Sequence, residues 1–265
     1  MTPRLETHVQ SRLELAIAAC WQAGKITLEY FQTDLAVESK DDGTPVTIAD
    51  QRAEQALRRI LTEAFPEDNI VGEEYGRTLK SGAGTWYLDP IDGTKSFIAG
   101  VPFYGVLLAY ELDTKVELGV AHFPALNETV WARRGGGCFW NGRKVGVSTV
   151  NDFRDVALML SDYKHLADAG HAALSNKLLQ ITRLQRTWGD AYGHILVATG
   201  RAEIMLDPYM SVWDCGPLLP IVEEAGGKFT DWQGVPTIHG KNAFSTNGHL
   251  HAAMLKMIAE LSPTP

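Results

Sequence analysis

Apolar residues return every three to four positions in two opening stretches. Leu13, Ala16, Ile17, Cys20, Gly24, Leu28 and Phe31 form the first, and Ala49, Ala53, Ala56, Leu57, Ile60, Leu61 and Ala64 the second, which Pro66 closes. This spacing predicts two amphipathic helices. From Trp86 onward, short apolar runs at 86–89, 104–112, 116–122 and 129–132 predict strands. Turn residues separate them, among them Gly135, Gly136, Gly137, Asn141 and Gly142. The second half alternates: strand 156–161, helices 167–180 and 189–198, strand 202–207, helix 211–225 stopped by Gly226 and Gly227, strand 228–231 and a closing helix 250–261. No repeat, low-complexity tract or linker interrupts the series. The expected class is mixed α/β (α+β) in layers. One unit is expected over residues 1–265, with an N-terminal α+β half to about residue 150 and a C-terminal α/β half over 151–265.

The 265 residues are 45% hydrophobic and 21% charged, which suits a globular chain with a sizeable core. The longest uninterrupted apolar run, 104–110, is far short of the ~20 residues a membrane helix needs. Thr2, Pro3, Arg4, Leu5 and Glu6 show no basic segment followed by an apolar one, so the expected compartment is the cytoplasm. A net charge of -8 without Lys/Arg runs excludes a nucleic-acid partner held by bulk charge. Cys20, Cys138 and Cys215 lack CxxC spacing and read as reduced core residues. The eight histidines, His122, His194 and His239 among them, show no metal-ligand spacing and are expected at surfaces or turns. Gly135, Gly136 and Gly137 precede no phosphate-loop lysine and read as a hairpin.

The chemistry concentrates in Trp86-Tyr87-Leu88-Asp89-Pro90-Ile91-Asp92-Gly93-Thr94, where an apolar strand delivers two aspartates into a turn. Carboxylates that close repel unless a cation lies between them. Hard oxygen ligands suit Mg²⁺ or Mn²⁺, and the Ile91 carbonyl can complete the set. Gly93 and Thr94 stand at what reads as a helix start, where backbone N–H groups best receive a phosphate. Taken singly, each acidic residue has a plainer reading: Asp89 and Asp92 as turn residues, Glu73 and Glu74 as a solvated pair, Asp50 as a capping charge and Asp214 as an N-cap.

Together these residues resemble the first signature of the inositol monophosphatase family, the Mg²⁺-dependent, Li⁺-sensitive phosphomonoesterases. The signature continues to an aromatic, here Phe97, and departs at Ala99, where a polar residue is usual. Three further pieces follow family order: Pro45-Val46-Thr47-Ile48-Ala49-Asp50, Val71-Gly72-Glu73-Glu74 and Val212-Trp213-Asp214, the last leading to Glu223-Glu224-Ala225-Gly226-Gly227. After Asp214 the family prefers alanine where Gly216 and Pro217 stand, and proline near a first helical turn is tolerable. The resemblance spans about residues 13–261 and implies the family's layered αβαβα sandwich. It also implies two to three Mg²⁺ per subunit, with Mn²⁺ as a substitute. Glu73, Asp89 and the Ile91 carbonyl would hold the first ion, Asp89, Asp92 and Asp214 the second, and Asp50 a weaker third. The substrate would be a small phosphate ester, its phosphate received by Asp92, Gly93 and Thr94. Glu73, Thr94 and Asp50 are the implied catalytic residues, with Glu73 and Thr94 orienting a water that attacks phosphorus in line. No covalent intermediate is needed, and no family residue maps onto a cysteine. The intact acidic set argues against a scaffold that has lost turnover, and a homodimer is expected because members commonly form one.

Members act on inositol phosphates, fructose bisphosphate, nucleotide bisphosphates or histidinol phosphate, so the substrate has to be read from the second half. Arg186-Thr187-Trp188-Gly189-Asp190-Ala191-Tyr192-Gly193 is similar to the histidinol-phosphate phosphatase branch, since inositol enzymes carry a small Gly-Ser-Ala-type step there. The expected reaction is hydrolysis of L-histidinol phosphate in histidine biosynthesis. The alternative substrate is inositol 1-phosphate or a related sugar phosphate. Asp190 is the candidate carboxylate for an ammonium or imidazole, and Asp207 falls where the family places an acidic contact to the leaving group. Arg186 either closes over the phosphate or pairs with Glu203. Trp188 and Tyr192 either wall the site or join the core.

Overall fold

The computed structural model describes residues 3–40, 43–82 and 84–261. Thr2 and both ends of the unit expected over 1–265 lie outside the described residues. The chain opens with α1 (Pro3–Tyr30), a short pair β1 (Glu38–Ser39) and β2 (Pro45–Val46), and α2 (Ile48–Ala64). Then come β3 (Asn69–Gly72), β4 (Gly76–Thr78), β5 (Gly84–Asp92), α3 (Thr94–Ile98), β6 (Gly105–Leu112), β7 (Lys115–Phe123), β8 (Glu128–Arg133), β9 (Gly137–Trp140) and β10 (Arg143–Val145). The second half holds β11 (Ala157–Leu160), α4 (Tyr163–Asp168), α5 (Ala172–Ile181), β12 (Leu184–Arg186), α6 (Ala191–Ala198), β13 (Ile204–Asp207), α7 (Val212–Glu224), β14 (Lys228–Thr230), β15 (Ala243–Thr246) and α8 (His251–Leu261).

An eight-stranded sheet has the order β10-β9-β8-β7-β6-β5-β3-β4, antiparallel except where β3 runs parallel to β5. A five-stranded sheet has the order β12-β11-β13-β15-β14, parallel through its first three strands. Side chains alternate across each strand and so divide the core into layers. Trp86, Leu88, Leu108 and Tyr110 pack beneath α1 and α2 against Leu13, Ala16, Leu57 and Leu61. Tyr87, Leu107 and Ala109 face the other way and join Ile195, Val197, Leu218 and Ile221 of α6 and α7. That middle core also takes Met159 and Met205 from the five-stranded sheet, while Leu158, Leu160 and Leu206 turn outward to Leu166, Leu178 and Ile258. The architecture is therefore the expected αβαβα. Close contact between α7 and the larger sheet depends on Gly119, where a Cβ would stand 2.2 Å from the Pro217 carbonyl.

The helix expected over 167–180 is two, because Gly170 (φ +84°) ends α4 and the chain turns before α5. Pro217 and Pro220 lie inside α7 beyond its first turn, each withholding one helical N–H. His122 and His194 are buried, not at surfaces. His122 stacks on Trp21 at 4.9 Å between ring centroids and bonds Thr129 Oγ1 at 2.9 Å, and His194 bonds Ser245 Oγ at 2.9 Å. Burial lowers their pKa values to about 4 and about 3. The three cysteines are buried and free, as expected. No helix of the described residues is long and apolar enough to cross a membrane.

Candidate active site

β5 runs to a register shift between Asp89 and Asp92: Asp89 still pairs with Leu107 and Asp92 with Gly105, so the irregularity falls on Pro90 and Ile91 between them. Within that turn Ile91 N donates to Asp89 Oδ1 at 2.9 Å, and Thr94 Oγ1 donates to the Ile91 carbonyl at 3.0 Å. Gly93 precedes α3 with φ +78°, a left-handed backbone that glycine takes without strain. A Cβ there would lie 3.1 Å from both Asp190 Oδ2 and the Phe103 carbonyl, so a side chain would crowd both on an already left-handed backbone.

Two more carboxylates come from helix starts. Asp214 is the third residue of α7, and its Oδ2 accepts from Ser211 N at 2.7 Å. Asp50 is the third residue of α2, and its Oδ2 accepts from Thr47 N at 2.8 Å and Thr47 Oγ1 at 2.7 Å. Both are capping boxes with aspartate in the reciprocal place, a signal legible as Thr47-x-x-Asp50 and Ser211-x-x-Asp214. Asp92 Oδ2 in turn accepts from Ala191 N, the first residue of α6, at 2.8 Å. The positive ends of α2, α6 and α7 therefore all bear on acidic groups.

One oxygen from each of Asp89, Asp92 and Asp214 falls within 4.8 Å of the others. Burial, followed by the charges of Glu73 and Asp214, holds the Asp89 carboxyl well above the usual range. Burial, followed by Asp190 and Asp214, does the same to Asp92, and burial raises Asp214 to about 7. Acidic oxygens this close fit a hard divalent cation, which would remove the repulsion. A second observation agrees: Asp50 Oδ1 is buried without a hydrogen-bond partner. Glu73 adjoins the cluster, and Lys40 Nζ lies 2.7 Å from both Glu73 Oε1 and Glu74 Oε1.

These groups open onto a cavity of about 810 Å³ lined by Glu73, Asp89, Ile91, Asp92, Gly93, Thr94 and Asp214. Lys40, Tyr209 and Lys241 also line it, and no motif in the sequence singles them out. Asp190 stands behind Gly93, and its own φ of +52° is strained for a residue with a side chain. Asp207 is buried, receiving Ser161 Oγ at 3.3 Å and Tyr209 N at 3.2 Å. Burial raises both carboxyls, and the Asp190 charge adds to the rise at Asp207. Arg186 is placed elsewhere, exposed at the end of β12, where it donates to the Gln185 carbonyl and lies 5.8 Å from the Trp188 ring. Glu203 is buried and accepts from Ala157 N at 2.7 Å, so the Arg186–Glu203 pair does not form. Tyr192 belongs to the core, stacked on Phe103 at 5.1 Å, whereas Trp188 is 38% exposed.

The sequence profile described as the inositol monophosphatase family matches residues 8–262. The chain belongs to the inositol monophosphatase family. It is accordingly a phosphomonoesterase of a metal-dependent family. Among its relatives, a histidinol-phosphatase of Chlorobaculum parvum is 42% identical over 248 residues, which are 93% of this chain and 96% of that protein. A histidinol-phosphatase of Mycobacterium tuberculosis is 36% identical over 249 residues, 92% of this chain and 96% of that one. The solved structure of an IMPase from Thermotoga maritima superposes with a TM-score of 0.86 at 30% identity, covering 95% of this chain and 98% of that one.

Proposed function

We propose that the protein hydrolyses L-histidinol phosphate to L-histidinol and phosphate with Mg²⁺, serving histidine biosynthesis in the cytoplasm as a homodimer of a single unit. The observation that carries this reading is the place of Asp190. Its carboxylate lies directly behind the phosphate turn, where a Cβ on Gly93 would come within 3.1 Å of it. A phosphate ester bearing an ammonium and an imidazole is matched by carboxylates there, whereas an inositol presents neutral hydroxyls. The identity shared with the Chlorobaculum parvum and Mycobacterium tuberculosis histidinol-phosphatases supports it.

In this reading Glu73, Asp89, the Ile91 carbonyl, Asp92 and Asp214 hold the Mg²⁺ pair, and Asp50 a weaker third ion. Bound there, the ions supply neutralisation of the phosphoryl oxygens and activation of water. Gly93 and Thr94 N–H groups at the start of α3 receive the phosphate. Thr94 Oγ1, fixed by the Ile91 carbonyl, orients the attacking water together with Glu73. Asp190 and Asp207 hold the cationic end of the leaving group. Arg186 has no part in this reading, because its guanidinium is exposed at the end of β12 and donates to the Gln185 carbonyl.

The test is phosphate release from L-histidinol phosphate, inositol 1-phosphate, fructose 1,6-bisphosphate and 3′-phosphoadenosine 5′-phosphate, each with Mg²⁺ and with EDTA. The expected kcat/KM for histidinol phosphate exceeds the others at least tenfold, about 1.4 kcal/mol of discrimination. Asp190→Asn should erase that preference chiefly through KM. A wild-type preference for inositol 1-phosphate overturns the substrate assignment, and turnover in EDTA overturns the metal.

A further inference from the structure

Glu54 is fully buried on α2, one helical turn after Asp50. Three donors surround its carboxylate. Glu74 N donates to Oε2 at 2.7 Å, Tyr75 N to Oε1 at 3.1 Å, and Arg58 Nε to Oε1 at 2.7 Å. Arg58 carries the link onward, through Nη1 to Thr78 Oγ1 at 3.0 Å and through Nη2 to the Gly76 carbonyl at 2.5 Å. The β3–β4 turn that bears Glu73 is therefore tied to α2 through backbone amides on the two residues after it. The fit is close: a Cβ on Gly72 would stand 2.3 Å from Glu54 Oε1.

A buried carboxylate with three donors is satisfied, and it fixes the backbone that it binds. Two ligand candidates thus share one helix as their reference: Asp50 sits on α2 itself, and Glu73 is referred to it through Glu54. We propose that Glu54 is a positioning residue for Glu73, setting the affinity of the site for its divalent cation without touching cation or substrate. The inference rests on the reading of Glu73 as a cation ligand.

The experiment compares wild type, Glu54→Gln and Glu73→Gln by direct Mn²⁺ titration, and by the Mg²⁺ dependence of turnover on whichever phosphate ester the wild type hydrolyses best. The amide replaces an acceptor oxygen with a donor group facing N–H groups. For Glu54→Gln, the Mn²⁺ dissociation constant should rise at least tenfold, and the Mg²⁺ concentration for half-maximal turnover should rise by the same factor. At saturating Mg²⁺, kcat should stay within threefold of wild type, a separation that mere loss of stability would not produce. Unchanged Mn²⁺ affinity in a folded Glu54→Gln protein, with affinity lowered in Glu73→Gln, overturns the inference alone. Unchanged affinity in Glu73→Gln overturns the ligand reading beneath it. If Glu54→Gln does not fold, Arg58→Lys serves instead, keeping the charge beside Glu54 while dropping the bonds to Thr78 and Gly76. A three- to fivefold weaker Mn²⁺ affinity is then expected, and no change overturns the inference.

Discussion

Replacing Asp92 by Asn tests the acidic cluster in both its states. The amide keeps an oxygen for Ala191 N but removes one charge from three groups whose oxygens lie within 4.8 Å of one another. At that separation and an effective dielectric near 20, an ionised pair repels by about 3.5 kcal/mol. Weakening a charge-assisted hydrogen bond returns about 1 kcal/mol of that, and partial protonation of the wild type returns more. Without metal at pH 8, Asp92→Asn should therefore be more stable than wild type by about 1–3 kcal/mol. The pH dependence has a definite sign. Asp89, Asp92 and Asp214 all titrate higher folded than unfolded, Asp214 at about 7, so their ionisation destabilises the fold above the unfolded value near 3.8. Wild type regains that stability as the pH falls toward the unfolded value near 3.8, and the gap to the variant narrows with it. Saturating Mg²⁺ should invert the order, because an ion at about 1,000 times its dissociation constant adds about 4.1 kcal/mol to wild type alone. The assay is urea unfolding in EDTA at pH 8 and pH 5, repeated with Mg²⁺, beside phosphate release. A metal-free variant no more stable than wild type at pH 8 would refute the electrostatic reasoning. Turnover that survives at saturating Mg²⁺ would refute the ligand assignment.

Gly93→Ala forces a side chain onto a backbone at φ +78°, 3.1 Å from Asp190 Oδ2 and the Phe103 carbonyl, so stability should fall by about 1–2 kcal/mol. Phosphate release should fall at least tenfold, and a variant of wild-type activity would show that the turn does not shape the phosphate site. His194 titrates at about 3 in the fold against about 6.5 unfolded, so the fold holds the neutral ring; its stability is full above pH 6.5 and is lost on acidification. Between pH 6.5 and pH 5 that loss is about 2 kcal/mol. His194→Gln should flatten the stability slope there by about 1.4 kcal/mol per pH unit, and an unaltered slope in urea unfolding counts against it.

Legibility along the chain followed how local each signal was. α1 and α2 are long and strongly periodic, and β5 is a long apolar strand that the layers bury on both faces. β12 and β15 have three and four residues, and tertiary pairing with β11 and β13 selects them more than their own composition does. The acidic motifs stood out because their spacing follows a known family, and the structure brings Asp89, Asp92 and Asp214 together from two distant segments. Lys40 had no such spacing, and only the folded loop sets its ammonium between Glu73 and Glu74. Glu54 and Arg58 stand four residues apart on α2, a spacing that carries no sign of burial, because the hairpin that buries Glu54 arrives from later in the chain. Arg186 misled in the opposite direction, since a basic residue near Asp190 in sequence ends exposed at a sheet edge, donating to the Gln185 carbonyl.

The two capping boxes bear on how this chain could change over evolutionary time. Asp50 and Asp214 each close the first turn of a long helix, a role that stabilises by about 1 kcal/mol whether or not any ion is present. Asp89 secures no helix; it accepts from Ile91 N within its own turn. Selection for the fold alone would therefore preserve Asp50 and Asp214 in a descendant that had abandoned hydrolysis, while Asp89 drifted. A substitution at Asp50 or Asp214 therefore loosens a helix start along with any ion site, whereas one at Asp89 loosens no helix.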